Sequence, residues 1–168
     1  MSHLQGLVLL LGWILLPAWA SSPMVYQAQV VSVIDGDTLW VRPLGQRAKK
    51  KLRLMGLDAP EICQAGGRES RAALKGLVAG QRLEVREHGR DIYGRGLVLL
   101  LVDGKDVAAQ MVASGHAWSE RSAGSAHRYA EQEKDARQAR RGLFLADKPQ
   151  WPGDFRKQHG SCYPPRKS

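Results

Sequence analysis

The stretch from residue 34 to residue 61 constrains the fold most, because it consists of three strand-like segments joined by tight turns. Asp35-Gly36 is a hairpin-turn dipeptide between two extended segments. The third segment, Lys51–Leu57, runs directly into Asp58-Ala59-Pro60-Glu61. Carboxylates thus gather at the ends of neighbouring strands, where they repel one another unless a cation or an arginine shares the site. This arrangement is unfavourable as plain structure and suits a hard cation.

Alternating and continuous apolar patterns predict five strands, at residues 24–33, 38–41, 51–57, 82–86 and 97–102. Apolar residues near helical spacing predict three helices, at residues 69–78, 107–114 and 125–141. This order favours an α+β, mainly β architecture, namely a five-stranded OB-fold β-barrel with three helices. The prolines that follow residue 148 predict an extended C-terminal tail over residues 147–168 rather than a second domain.

The chain has 168 residues and a formal net charge of +9. Its length suits one domain with its own hydrophobic core, and its apolar content excludes a disordered chain. A basic surface attracts polyanions, with nucleic acid as the first candidate and an anionic membrane as the second. Generic solubility explains the same charge equally well, so charge alone does not choose between these interpretations.

The first twenty residues have the pattern of a secretory signal peptide. Residues 4–16 are almost wholly apolar, and Ala18-Trp19-Ala20 places small residues where a signal peptidase reads. The preceding residues lack Lys and Arg, so an uncleaved anchor is the alternative, although the apolar run is short for a transmembrane helix. We predict that residues 1–20 are removed and that the mature protein begins near Ser21. It would be secreted or periplasmic, without stable membrane association.

The chain contains two cysteines, Cys63 and Cys162. In an oxidising compartment an even number of cysteines favours a disulfide, which here would tie the tail to the loop after Glu61. Two free thiols are the better interpretation for a cytosolic protein. Metal binding by these cysteines is disfavoured, because neither has a CxxC or CxxH partner.

Asp37 and Asp58 follow neighbouring predicted strands, so we expect them to converge on one cation. Calcium takes carboxylate, backbone carbonyl and water ligands, and the Ala59 carbonyl would add to the two carboxylates. Asp35 lies beside them in the turn. Taken singly, Asp35 and Asp37 are ordinary hairpin-turn residues and Asp58 is an ordinary strand exit. The combination is what favours a metal site.

Two arginines and one glutamate complete the candidate chemistry. Arg53 lies on the strand that leads to Asp58, and Arg95 begins a later strand. A phosphodiester transition state carries extra negative charge, which planar guanidinium groups neutralise better than lysines do. Glu61 is suited to orient or deprotonate the attacking water. The alternatives are surface positions for the arginines and a solvated loop position for Glu61.

Three motifs in this order resemble the staphylococcal nuclease (thermonuclease) family, whose domain is also called SNase-like. They are Ile34-Asp35-Gly36-Asp37-Thr38, the segment RLMGLDAPE at residues 53–61, and Tyr93-Gly94-Arg95-Gly96-Leu97. Asp103-Gly104-Lys105 and the segment RGLF at residues 141–144 add to the likeness, which covers about residues 25–146. We therefore expect an SNase-like domain over residues 21–146.

The resemblance implies an OB-fold enzyme that hydrolyses DNA and RNA with calcium and leaves 5′-hydroxyl and 3′-phosphate ends. Carried over by motif, Asp37, Asp58 and the Ala59 carbonyl bind Ca²⁺, although the family often has Thr where Ala59 stands. Asp35 supports the metal. Arg53 and Arg95 grip the scissile phosphate, and Glu61 positions or activates water. Tyr93 contacts the nucleotide, and Trp118 and Tyr129 are candidates by position for a second stacking aromatic.

We therefore expect an exported, sugar-nonspecific endonuclease that acts as a monomer on single-stranded or flexible regions of DNA and RNA. The alternative is a non-catalytic nucleic-acid-binding module on the same OB-fold barrel. A pure binder has no chemical need for Glu61 and the paired arginines together with Asp37 and Asp58, so the intact set favours the enzyme.

Overall fold

The computed structural model describes residues 22–121, 127–160 and 162. The predicted signal peptide, residues 1–20, lies outside this range. The elements follow the order β1 (Met24–Val33), β2 (Thr38–Pro43), β3 (Lys50–Leu54), β4 (Leu57–Asp58), α1 (Gly67–Val78), β5 (Arg82–Arg90), β6 (Gly96–Val102), β7 (Lys105–Asp106), α2 (Val107–Ala113), β8 (Trp118–Ser119), α3 (Ala130–Gln138), a 3₁₀ turn (Gly142–Leu145) and α4 (Pro152–His159).

The five long strands close into a barrel, which confirms the predicted OB-fold architecture. Their order is β3-β2-β1-β5-β6, and a parallel pairing of β3 with β6 joins the two ends. Alternate residues of each strand point inward, as the period of two along a strand requires. The buried strand residues include Ala28, Leu39, Val41, Leu52, Leu54, Leu83, Val85, Val98 and Leu100. The barrel interior is therefore a packed apolar core.

The turn predicted at Asp35-Gly36 joins β1 to β2. The Asp35 Oδ1 atom accepts hydrogen bonds from the backbone N–H groups of Asp37 at 3.1 Å and Thr38 at 2.7 Å. These are the local bonds that favour Asp at the start of a turn. The turn fixes where the Asp37 side chain leaves the backbone.

The prediction of one continuous strand over residues 51–57 is wrong at its end. Strand β3 stops at Leu54, and Gly56 adopts a left-handed conformation with φ of 78°. Glycine tolerates this conformation because it has no Cβ. The chain then forms the two-residue strand β4, which pairs with β8 outside the barrel sheet. This break redirects Asp58 and the residues after it.

Four α-helices occur within the described residues, instead of the three predicted. The first two lie where the sequence places them, and α3 begins at Ala130, later than predicted. The fourth helix, α4, corrects the prediction of an extended tail over residues 152–159. None of the helices described is long and apolar enough to cross a membrane.

Several contacts fasten the segment around α4 to the rest of the protein. Cys162 forms a disulfide with Cys63, 99 positions earlier, with the two Cα atoms 5.7 Å apart. The Trp151 ring packs edge-on against Trp118 at a centroid distance of 5.7 Å. The Gln64 side-chain amide donates to the Gln150 carbonyl at 2.7 Å. The C-terminal segment is therefore docked beside the loop that follows Glu61.

Candidate active site

An open cavity of about 600 Å³ gathers most of the residues that the sequence singles out. Its walls come from the β1–β2 turn, β3, the segment after β4, the β5–β6 connection and α4. The lining residues are Ile34, Asp35, Asp37, Thr38, Lys51, Arg53, Ala59, Pro60, Glu61, Tyr93, Arg95, Arg156 and Gly160. Asp58 is 4% exposed and contacts two arginines of this wall.

Close packing of the β1–β2 turn against α1 defines one wall of the cavity. A Cβ atom at Gly36 would overlap the Ser70 Oγ and lie 2.7 Å from the Ala59 Cβ. Ser70 is itself fixed, because its hydroxyl donates to the His116 carbonyl at 2.6 Å. Glycine is therefore required between Asp35 and Asp37 for a steric reason.

Arg53 lies between the two carboxylates predicted to bind metal. Its guanidinium forms an ion pair with Asp37, and its Nη2 atom lies 3.3 Å from the Asp58 Oδ1. Burial opposes ionisation of Asp37, but the Arg53 charge and the hydrogen bonds from Thr38 and Arg53 together outweigh it and lower the pKa of this carboxyl below its usual range. Burial and the nearby Asp37 charge raise the pKa of Asp35 to about 7. The positive charge of Arg53 thus offsets the repulsion between the buried carboxylates of Asp37 and Asp58.

Arg95 reaches the same cavity from the β5–β6 connection. Its Nε donates to the Asp91 Oδ2 at 2.6 Å, and its Nη1 donates to the Thr38 Oγ1 at 3.3 Å. The Thr38 hydroxyl in turn donates to the Asp37 Oδ1 at 2.7 Å. Arg53 therefore approaches Asp37 from β3 and Arg95 approaches it from the β5–β6 connection, which is the juxtaposition that the sequence-based hypothesis requires.

Glu61 faces the cavity next to a residue that the sequence interpretation missed. The Arg156 Nη1 atom lies 3.0 Å from the Glu61 Oε1, and the same guanidinium also contacts Asp58. Arg156 lies on α4, beyond the segment that resembles a known family. The available signal was the predicted Cys63–Cys162 bridge, which already placed the tail beside Glu61. Asp91 and Thr38, which position Arg95, were also missed.

Of the three aromatic candidates, Tyr93 lines the cavity. Its side chain is 77% exposed and is free to contact a ligand. Trp118 is 2% exposed and packs with Phe144, whereas Tyr129 is 4% exposed and donates its hydroxyl to Asp106 at 2.7 Å. Trp118 and Tyr129 are therefore core residues, and the suggestion that either stacks on a base is wrong.

The donor set suits a hard divalent cation in part. Asp37 and Ala59 line the cavity, and the Ala59 backbone N–H donates to the Asp37 Oδ2 at 3.3 Å. Asp58, the residue before Ala59, provides the second carboxylate. Within residues 22–121, 127–160 and 162, no three acidic, histidine or cysteine side chains cluster closely enough to hold an ion by themselves. Calcium accepts carbonyl and water oxygens as well as carboxylates, so water or a substrate oxygen would complete its shell.

Comparison with known proteins places the chain in a family. The model of the family "Staphylococcal nuclease homologue" matches residues 51–145, which is more than half of the 168-residue chain. The chain belongs to this family. The match begins just before Arg53 and includes Glu61, Tyr93 and Arg95, whereas Arg156 lies beyond it.

Several curated proteins are similar to this chain over much of its length. The "Micrococcal nuclease" of Shigella flexneri is 35% identical over 153 residues, covering 84% of each chain. An "Uncharacterized endonuclease" of Escherichia coli is 38% identical over 117 residues, covering 69% of this chain and 75% of the relative. The rice protein "Probable staphylococcal-like nuclease CAN2" is 33% identical over 129 residues, covering 77% of this chain. The chain spans about 33% of the length of that plant relative.

Proposed function

We propose that the protein is an exported, calcium-dependent nuclease that hydrolyses phosphodiester bonds of DNA and RNA. The observation that carries this proposal is the convergence of Arg53, Arg95 and Glu61 on one cavity beside Asp37 and Asp58. Family membership supports phosphodiester hydrolysis. Export is supported by the signal-peptide pattern of residues 1–20 and by the disulfide, which persists in oxidising compartments.

The arginines bind the scissile phosphate and stabilise the charge that develops on it. Glu61 orients a water molecule and accepts its proton while the water oxygen attacks phosphorus. The bond from phosphorus to the 5′ oxygen breaks, the leaving oxygen takes up a proton, and the phosphate stays on the 3′ side. When bound by Asp37, Asp58 and the Ala59 carbonyl, calcium supplies positive charge to the phosphate oxygens. Positioning and electrostatics account for most of such catalysis.

A basic cleft supports a polymeric nucleic acid as the substrate. It has a volume of about 500 Å³ and adjoins the cavity, with Lys51 and Tyr93 lining both. The cleft is lined by Trp40, Lys49, Lys50, Lys51, Leu52, Glu87, Arg90, Tyr93, Gly94 and Gly96. Lysines and arginines bind phosphates without reading sequence, and aromatic rings stack on bases. A strand that leaves the cavity through this cleft would be held with little sequence specificity.

The direct test is cleavage of single-stranded DNA and RNA by the purified mature protein with calcium and then with excess chelator. We expect cleavage only with calcium, and products that accept phosphate at the 5′ end without prior phosphatase treatment. Arg95→Ala should lose most of the activity. Arg82→Ala, an exposed arginine outside the cavity wall, is the matched control. Nucleic-acid binding without any product would instead support the non-catalytic module.

A further inference from the structure

Arg156 forms an ion pair with the Asp58 carboxylate, which is a proposed ligand of the cation. Its Nη2 lies 3.0 Å from the Asp58 Oδ2, and its Nη1 lies 3.2 Å from the Asp58 Oδ1. Both carboxylate oxygens are thus bound by one guanidinium, which is the strong bidentate form of this ion pair. The same Nη1 also reaches the Glu61 Oε1 at 3.0 Å. Arg156 therefore links the proposed metal ligand to the residue proposed to orient water.

The position of Arg156 does not depend on this ion pair alone. The Trp151 ring precedes α4 and packs against the buried Trp118, and the Arg121 guanidinium lies 4.5 Å from the Trp151 ring centroid. Beyond α4, Cys162 is joined to Cys63, two residues after Glu61. Fixed points on both sides of α4 hold the guanidinium near Asp58, so its effective concentration there is high.

A cation that binds the Asp58 carboxylate must compete with this guanidinium. Arg156 is partly accessible, with 42% of its side chain exposed, so it can swing into solvent once it is displaced. Arg53, at 17% exposure and held between Asp37 and Asp58, has less room to leave. We therefore expect the cation to displace Arg156 rather than Arg53 from Asp58.

We propose that Arg156 is a further residue of the site, an internal counter-cation of Asp58 that exchanges with the divalent cation. The Cys63–Cys162 bridge keeps it within reach. In the absence of a metal, Arg156 forms ion pairs with Asp58 and Glu61. When the cation takes Asp58, the guanidinium is released toward the cavity. This inference rests on the proposed calcium dependence, since it concerns how tightly the cation binds.

The test is calcium titration calorimetry on the full mature chain, without nucleic acid, for the wild type and Arg156→Gln. Loss of charge-assisted hydrogen bonds to Asp58 should tighten calcium binding by roughly tenfold. Lys157→Gln is the matched control, because it removes the same charge from the same helix and Lys157 contacts Asp154 instead. The double variant Cys63→Ser/Cys162→Ser should tighten binding in the same direction by a smaller factor.

Thermal unfolding of each variant is measured alongside the titration. If Arg156→Gln does not fold, Arg156→Lys serves as the test, because a lysine keeps the charge but loses the bidentate fork and should give an intermediate affinity. Equal or weaker calcium binding by the Arg156 variant, or an equal gain in Lys157→Gln, overturns the inference. If calcium-dependent cleavage is present in these cases, the proposed function survives. Absence of both calcium binding and cleavage overturns both.

Discussion

The Asp91 carboxylate holds both the side chain and the backbone of Arg95 in place. The Asp91 Oδ2 accepts from the Arg95 Nε at 2.6 Å, and its Oδ1 accepts from the Arg95 backbone N–H at 2.9 Å. The same Oδ1 accepts from the Tyr93 N–H at 2.9 Å. Burial opposes ionisation of Asp91, but the charge and hydrogen bonds of Arg95, with the Tyr93 N–H, together outweigh it and lower the pKa of Asp91 below its usual value. Asp91 therefore stays charged at neutral pH and orients the Arg95 guanidinium before substrate binds.

Replacing Asp91 with Ala should reduce kcat by roughly tenfold to a hundredfold, because a misoriented guanidinium stabilises the transition state poorly. KM should change less, since Arg95 keeps its charge. Initial rates on single-stranded DNA at saturating calcium provide the measurement. Asp91→Asn retains one acceptor and should recover part of kcat, whereas Asp135→Ala, at an exposed position on α3, serves as the control. An unchanged kcat in Asp91→Ala would contradict the positioning role.

The parts of the site that depend on local chemistry could be predicted from the sequence. Asp35-Gly36 forms its turn through bonds within three residues, and Arg53 and Asp58 lie five positions apart. Arg95 lies far from Arg53 and Asp58 in the sequence, but its loop and the strand that follows carry a recognisable motif. These residues meet because β3 pairs with β6, the parallel pairing that closes the barrel.

The missed parts depend on tertiary contacts. Arg156 reaches Asp58 across 98 positions, and no local pattern marks one arginine of a basic tail as part of a site. The tail prolines predict an extended segment, because proline disfavours the interior of a helix. However, Pro152 lies in the first turn of α4. Backbone N–H groups there have no partner within the helix, so the missing N–H of proline costs nothing, and its fixed φ suits a helix. Periodicity alone predicts a continuous strand through Gly56, because it does not reveal a left-handed residue.

Glu87 should make the stability of the barrel sensitive to acid. Its side chain is 5% exposed and accepts from the Lys50 Nζ at 2.9 Å and the Tyr26 hydroxyl at 3.0 Å. Burial raises its pKa, but these bonds prevail and lower the pKa below the usual 4.5. A depressed folded-state pKa means that this stabilisation is fully present above about pH 4.5 and is lost as the pH falls through the folded-state pKa.

Glu87→Gln should therefore lower the free energy of unfolding by about 1.5–3 kcal/mol at pH 7, the range for hydrogen bonds to a charged group. The difference from the wild type should shrink at pH 3. Urea unfolding at pH 7, 5 and 3 measures both effects. Glu84→Gln, at 41% exposure, is the control and should change little at any of these values. A constant difference across the three conditions would mean that ionisation of Glu87 is not responsible.

The Cys63–Cys162 disulfide closes a loop of 99 positions. In the chain-entropy model a loop of this length stabilises the folded state by up to about 4–5 kcal/mol. The double variant Cys63→Ser/Cys162→Ser should have a free energy of unfolding that is lower by a few kcal/mol, measured by urea unfolding at pH 7. Mass measurement after denaturing alkylation should find no modified cysteine before reduction and two afterwards. Two alkylated thiols without reduction would show that the bridge does not form.

The basic cleft beside the cavity should set the affinity for long substrates. Lys49 and Arg90 are exposed residues of its wall and do not line the cavity itself. The double variant Lys49→Gln/Arg90→Gln should bind a single-stranded oligonucleotide more weakly, and the slope of log K against log salt should fall by about 1.4, or about 0.7 for each lost phosphate contact. Cleavage of a dinucleotide substrate should change far less, because so short a strand does not reach the cleft.

Lys75→Gln/Lys105→Gln is the control, because it removes the same charge from exposed positions outside both cavity and cleft. If this control shifts the slope equally, general charge rather than the cleft governs binding.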